Sequence, residues 1–382
     1  MFDMKRTFSS YQRALIRDSK CWRWGLLILS CLVVGSVAFG RSSAPIYEDP
    51  FDVAGGGASL TRASQAGLLF SNPALIPYGT GIHRWLGNET SLLVGKDSVD
   101  FAKSLSSNSG QDTSASSGEF INTVLETPIH AGVLNCFSYI NRFFGFGVFN
   151  RGEFDIAAKK YGDTGLPALQ FRAESYQGLG VSVASLVFGK MLSAGVTGKF
   201  IYAGEPDLTI ELTDQEAITN LQSASGLKSL TAMNAGYGVD AGLIFFRQGS
   251  TADYRVAVKI DDFGGTKLSG TGDLKELKQM YHVGLGYTLH NSLDSLHFSA
   301  DYRDVGSVSD DGLFKRVRMG AKLLLRQHLG LSAGYYDGWP SYGVEIDAWL
   351  VRLTAAYYTR EMGPKPGLEP RSVYLAGFAM GF

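Results

Sequence analysis

The sequence predicts an all-β fold: a single transmembrane antiparallel up-and-down β-barrel of about fourteen strands. Three observations predict it. Apolar and polar residues alternate with a period of two through most of the chain, in segments often about ten residues long or longer. The connections between those segments are alternately long and short. The chain closes on an aromatic-rich alternating segment, "YLAGFAMGF".

The alternation is clearest in "SLHFSADYR". Leu296, Phe298, Ala300 and Tyr302 fall on one face, and His297, Ser299, Asp301 and Arg303 on the other. "YRVAVKID" sets Tyr254, Val256, Val258 and Ile260 against Arg255, Lys259 and Asp261; "VRMGAKLLL" sets Val317, Met319 and Ala321 against Arg318 and Lys322. Successive side chains of a strand point to opposite faces, so each segment has an apolar face and a polar one. Alternation alone also fits a soluble sandwich. Length separates the two, because soluble strands run nearer five or six residues, whereas a tilted strand needs about nine to eleven to cross a bilayer. Candidate strands begin near residues 90, 128, 143, 169, 189, 232, 253, 279, 294, 312, 327, 340, 349 and 371.

Between them, long connections at 102–127, 158–168, 204–231, 265–277, 305–311 and 360–370 alternate with short turns such as "INR", "FGKM", "RQGST" and "HNSL". Only the corner at Gly338-Trp339-Pro340 is brief on the long side. Long loops on one side and short turns on the other mark a bacterial outer-membrane barrel, with both ends of the barrel domain on the periplasmic side.

Composition agrees. Of 382 residues only 19% are charged, against about 25% in soluble domains. The net charge of -1 provides no field that would select nucleic acid. At the N-terminus, a basic region containing Lys5, Arg6, Arg13, Arg17, Lys20 and Arg23 precedes the apolar run "WGLLILSCLVVGSVAFG". Residues 1–40 therefore read as a signal peptide with Ala38-Phe39-Gly40 at its cleavage site; a membrane anchor and a lipoprotein signal ending at Cys31 are the rival readings. Cys136 is the one cysteine beyond this segment, so no internal disulfide is expected.

At the other end Tyr374, Phe378, Met380 and Phe382 alternate along the last segment. This resembles the closing strand of outer-membrane barrels, the membrane-insertion signal that barrel insertion machinery reads. Left unpaired, such a strand would be an exposed edge; pairing it with the first strand removes that edge.

Before the first strand lies "AGGGASLTRASQAGLLFSNPALIPYG". This stretch, the strand count, the C-terminus and the section "AGYYDGWPSYGVEIDAWLVRLTAAYYTREMGPKPG" together resemble the FadL family of long-chain fatty-acid transporters and its PorV-type and TraF-like relatives. The resemblance implies that residues 41–85 form a hatch inside a barrel of residues 86–382, with Gly55, Gly56, Gly57, Asn72, Pro73 and Ala74 as hatch or gating residues. The chain departs from the family in having Leu75 where glycine is usual and no acidic pair before Asn-Pro-Ala. The chemistry of the stretch is compatible with a hatch. Glycine permits close approach, Pro73 fixes its own φ and turns Asn72 away from helix, and Asn72 can bond neighbouring backbone. A short helix across 59–70 is expected.

No nucleophile motif such as Gly-x-Ser-x-Gly occurs, and the six histidines show no metal-ligand spacing. The chain is therefore expected to be neither an enzyme nor a binder of cofactors or metals. Loop 204–231 carries a capping-box pair, Thr213 and Glu216, ahead of Ile218, Leu221, Leu227 and Leu230 at roughly helical spacing. That predicts an external apolar helix, either a ligand-entry groove or a cap on the barrel mouth. A second short helix is expected at 118–125. Lys199, Arg255, Lys259, Asp261, Asp301, Arg303, Arg316, Arg318, Lys322, Glu345, Asp347 and Arg352 are read as lumen-facing, forming a solvated or salt-bridged interior. Taken with the resemblance, the expected function is passive outer-membrane uptake of hydrophobic small molecules such as fatty acids, with outer-membrane lipid around the barrel. The alternative is a barrel serving as a shuttle or assembly component for secreted or conjugation proteins.

Overall fold

The computed structural model describes residues 45–63, 67–81, 86–99, 127–159, 168–211, 232–291 and 294–381. The signal peptide expected at 1–40, the helices expected at 118–125 and in loop 204–231 with Thr213, Glu216, Ile218, Leu221, Leu227 and Leu230, and the terminal Phe382 lie outside the described residues.

Seventeen strand segments make one antiparallel sheet that closes on itself as a barrel of fourteen strands. Ten of the walls are β1 (Leu86–Gly95), β2 (Ile129–Ile140), β3 (Phe144–Lys159), β4 (Ala168–Phe188), β12 (Ser295–Tyr302), β13 (Val317–Leu325), β14 (Leu329–Tyr336), β15 (Trp339–Ala348), β16 (Val351–Glu361) and β17 (Pro370–Gly381). The others are β5 (Leu192–Gly204), extended by β6 (Asp207–Glu211), β7 (Asn234–Gln248), β8 (Ala252–Asp261), extended by β9 (Thr266–Gly270), and β11 (Met280–His290), preceded by β10 (Glu276–Leu277). The small segments continue their walls beyond a kink: β6 stays on the β4 ladder, and β9 rejoins β7 at Gly236. Part of the loop expected at 204–231 is therefore strand.

Closure runs between β1 and β17, from Gly87 opposite Gly381 to Val94 opposite Tyr374. No edge of the sheet is left open, which is the condition for burying strands in lipid. The short turns fall where they were expected. Between β13 and β14, Arg326 and Gln327 both take positive φ, and the His328 N–H donates to the Leu325 carbonyl at 3.0 Å. Two successive left-handed residues match the right-handed twist of a hairpin. Asp337 and Gly338 form the same kind of corner between β14 and β15.

Facing follows parity. Phe298, Leu285, Met319, Tyr342, Tyr374, Phe378 and Met380 are exposed on the outer wall, while Lys259, Asp301, Arg318, Lys322 and Glu345 are buried within. An apolar exterior on a closed barrel is the architecture of the bacterial outer membrane. One boundary needs correction. The segment expected to start a strand near 312 is first a short helix, α3 (Leu313–Arg316), because the Lys315 N–H turns back to the Gly312 carbonyl at 3.0 Å. Arg316 is consequently not a lumen residue. It bonds loop groups, donating to the Asp311 carbonyl at 2.6 Å.

The facing yields a testable register. Phe298→Arg would place a charge on the lipid face and should cost about 2–4 kcal/mol near the bilayer midplane, measured as a lowered urea midpoint for folding into vesicles. His297→Arg, one residue away on the inner face, should cost much less; equal costs would mean the parity is wrong.

Candidate functional site

Residues 45–63 and 67–81 lie inside the barrel, and most are buried. Three short pieces order them: α1 (Pro50–Val53), α2 (Gly67–Phe70) and a 3-10 helix (Pro73–Gly81). The helix expected across 59–70 is confined to its last turn among the described residues. Leu60 and Thr61 instead run irregularly, the wall taking the Leu60 N–H through Asp301 and the Thr61 carbonyl through Arg255.

Asn72 organises the second half. Its side-chain oxygen accepts the Ala74 N–H at 3.1 Å, and its amide donates to the Leu60 carbonyl at 3.0 Å. The first bond makes a local turn entering at Pro73, and the second ties two passes of the segment together. Asn72, Ala74 and Ile76 are fully buried, and Leu75 nearly so. In the first half Gly56 and Gly57 take φ of +83° and +70°, where a side chain would be strained.

The barrel accommodates this plug by omitting side chains. A Cβ at Gly195 on β5 would strike the Pro73 backbone, at Gly242 on β7 the Asn72 side chain, at Gly284 on β11 Leu60, at Gly320 on β13 the Gly55 carbonyl, and at Gly334 on β14 the Gly56 amide. Gly145 and Gly147 on β3 face Leu69, and Gly180 on β4 faces the Phe70 ring. Inward glycines thus form a seat around much of the lumen. The sequence signal was present as Gly-x-Gly at the inward parity, in "GFG" of β3 and "GLG" of β4 and β11.

Charged groups then hold the plug in that seat. Asp301 accepts the Ser59 and Leu60 N–H groups at 2.7 and 3.1 Å. Arg303 donates to the Gly57 carbonyl at 3.0 Å, Arg255 to Thr61 at 3.0 Å, Arg151 to Pro45 at 2.7 Å, and Lys259 to the Phe70 carbonyl. The Arg352 guanidinium sits 3.8 Å over the Phe51 ring. Glu48 of the plug is bound by Arg318 and accepts the Tyr336 hydroxyl at 2.6 Å. Burial works against its charge, yet Arg318, Arg151 and Arg360 hold its carboxyl well below the usual carboxylate range, so this latch is ionic at neutral pH.

Sequence parity found Lys199, Arg255, Lys259, Asp261, Asp301, Arg303, Arg318, Lys322, Glu345 and Arg352 as lumen groups, and they are ion-paired or bonded rather than freely solvated. Asp347 instead accepts the Trp349 N–H at 3.0 Å in the short turn that follows β15. Sequence reasoning missed a second cluster, in which Arg151 bridges Glu153 and Glu174 at 2.7 and 2.8 Å while Arg360 reaches the same two acids. Nearby, Arg371 pairs with Asp155 at 2.7 Å.

Part of the inner surface, on the β2–β7 side, is apolar, which polar-lumen barrels do not require. Ile140 and Cys136 of β2, Phe149 of β3, Tyr176 and Ala184 of β4, Ile201 and Ala203 of β5, Ile244 of β7, Leu268 of β9 and Leu277 of β10 join one contiguous cluster. Leu68, Leu69, Phe70, Ala74, Leu75 and Ile76 of the plug fill its middle. The Phe70 and Phe149 rings meet edge-on at 4.8 Å.

Arg318→Met should remove the guanidinium that Glu48 and Asp337 share and cost about 3–5 kcal/mol. With the barrel intact, the cost should appear as faster tryptic cleavage after Arg62 in the plug. Gly320→Val should have the same effect by steric displacement. Cleavage at the wild-type rate in both variants would show that neither contact holds the plug.

No family model and no curated protein matches this sequence. Among solved structures the chain is similar to the toluene transporter TbuX of Ralstonia pickettii, at 12% identity and a TM-score of 0.49, covering 87% of this chain and 98% of that one. It is also similar to the toluene transporter TodX of Pseudomonas putida, at 12% identity and a TM-score of 0.47, covering 90% and 99%. CymD, a monoaromatic hydrocarbon channel, is 10% identical with a TM-score of 0.47, covering 88% and 98%.

Proposed function

We propose that this barrel mediates passive uptake of hydrophobic small molecules across the outer membrane, fatty acids among them, with residues 45–81 acting as its hatch. The observation that supports this reading is the apolar cluster on the inner wall. It begins beneath the external extensions at Leu268 and Leu277, passes Ile201 and Phe149, and continues to Ile140 and Ala184 beside the short turns. An apolar inner surface with a few convergent polar groups is what a greasy ligand requires of a site.

In this reading the plug's own Leu68–Ile76 segment occupies the route. A ligand enters at the external end, packs on Ile201 and Phe149, and passes when the hatch gives way. Gly55, Gly56 and Gly57 allow that movement, and Asn72, Pro73 and Ala74 keep the second half together as it moves. The barrel supplies binding and a path and needs no energy source of its own.

Deleting residues 45–80 should leave a folded barrel, because every strand that closes it remains. Single-channel conductance in planar bilayers should rise, since a barrel of this size is too wide for its own side chains to fill. In cells, Ile201→Asp with Phe149→Asp should slow entry of an apolar fluorescent probe such as phenylnaphthylamine while the barrel stays heat-modifiable on gels. Probe entry into cells carrying the wild-type protein no faster than into cells lacking it would overturn the uptake reading.

A further inference from the structure

The outer wall carries a groove of about 750 Å³ across β8, β11, β12, β13 and β14. Register explains it. One rung across the wall reads Leu285, Ala300, Met319, Tyr335, and the next reads Tyr287, Phe298, Ala321, Ala333. All eight residues share the outward parity, so the small ones form a trough. It passes between Phe298 and Met319, with Ala300 and Ala321 as its floor.

We propose that this groove is a binding site for one membrane lipid, held by an acyl chain. Its walls belong to the same outward set that forms the apolar belt, since Leu285, Phe298 and Met319 are all exposed there, so the groove is continuous with the surface that contacts the bilayer. Within a bilayer the hydrophobic effect does not distinguish lipid from side chain, and association depends on van der Waals contact. A flat wall offers a chain contact on one side. A trough surrounds it and adds many small attractions, whereas a second rigid barrel would bridge the trough and leave it unfilled. At the turn end, Tyr254 and Tyr287 pair at 5.0 Å between ring centres, and the phenol is a side chain that favours the level of lipid headgroups. The groove therefore fits a flexible alkyl chain with its headgroup beside the tyrosine pair.

Native mass spectrometry of the whole protein, released from nanodiscs of palmitoyl-oleoyl phosphatidylethanolamine, tests the site. After loose lipids are stripped, the wild type should retain one lipid. Ala300→Trp and Ala321→Trp should lose it, and Ala355→Trp, outward on β16 away from the groove, should keep it. Heat-modifiability on gels verifies that each variant is folded. Retention in both groove variants, equal loss in the control, or loss of a dimer in place of a lipid would each overturn the proposal. None of these outcomes depends on uptake, so the site and the transport reading fail separately.

Discussion

A barrel of fourteen strands encloses more space than its own inward side chains can fill, and the rest of this structure follows from that constraint. An eight-stranded barrel fills itself. Here a separate segment of chain must occupy the lumen, and its backbone cannot be left unbonded among low-polarity walls. The barrel therefore presents donors and acceptors at the depth where plug carbonyls and amides arrive. Asp301 takes two amides, while Arg303, Arg255, Arg151 and Lys259 each take a carbonyl. Part of the glycine content has the same origin, because at Gly195, Gly242, Gly284, Gly320 and Gly334 a Cβ would strike the plug.

Two kinds of contact hold the plug, and they differ in reversibility. On the β12–β14 side the contacts are directional and charged, centred on Glu48, Arg318, Asp301 and Arg303. On the β2–β7 side they are largely apolar, with Leu69 and Phe70 resting on Gly145, Gly147, Gly180 and Phe149. Apolar contact is non-directional and can be replaced by any ligand of similar surface, whereas a broken buried ion pair leaves a charge uncompensated. Under the proposed function, hatch movement that starts on the apolar side and leaves the ionic side in place is the less costly sequence of events.

Much of the barrel was legible in the sequence. Thirteen of the fourteen strand starts near 90, 128, 143, 169, 189, 232, 253, 279, 294, 327, 340, 349 and 371 lie within a few residues of the observed ones, and the one near 312 was displaced by α3. These signals are local: alternation sets facing, and turn residues set where the strands reverse. The turn at Asn72 was also legible, because Asn-Pro-Ala makes its first bond within two residues.

What the sequence by itself determined is thus the barrel, its facing and its short turns, since period-two alternation and turn chemistry act between neighbouring residues. Only the tertiary structure decided which charges meet. Glu48 and Arg318 stand 270 positions apart, and Arg360 and Glu153 stand 207 apart. Parity places such groups in the lumen without pairing them, because depth along the strand and position around the barrel come from closure and shear. The same reason hid the glycine seat and the outer groove. Each is a match between rungs on different strands, and it exists only once the register of the whole sheet is set.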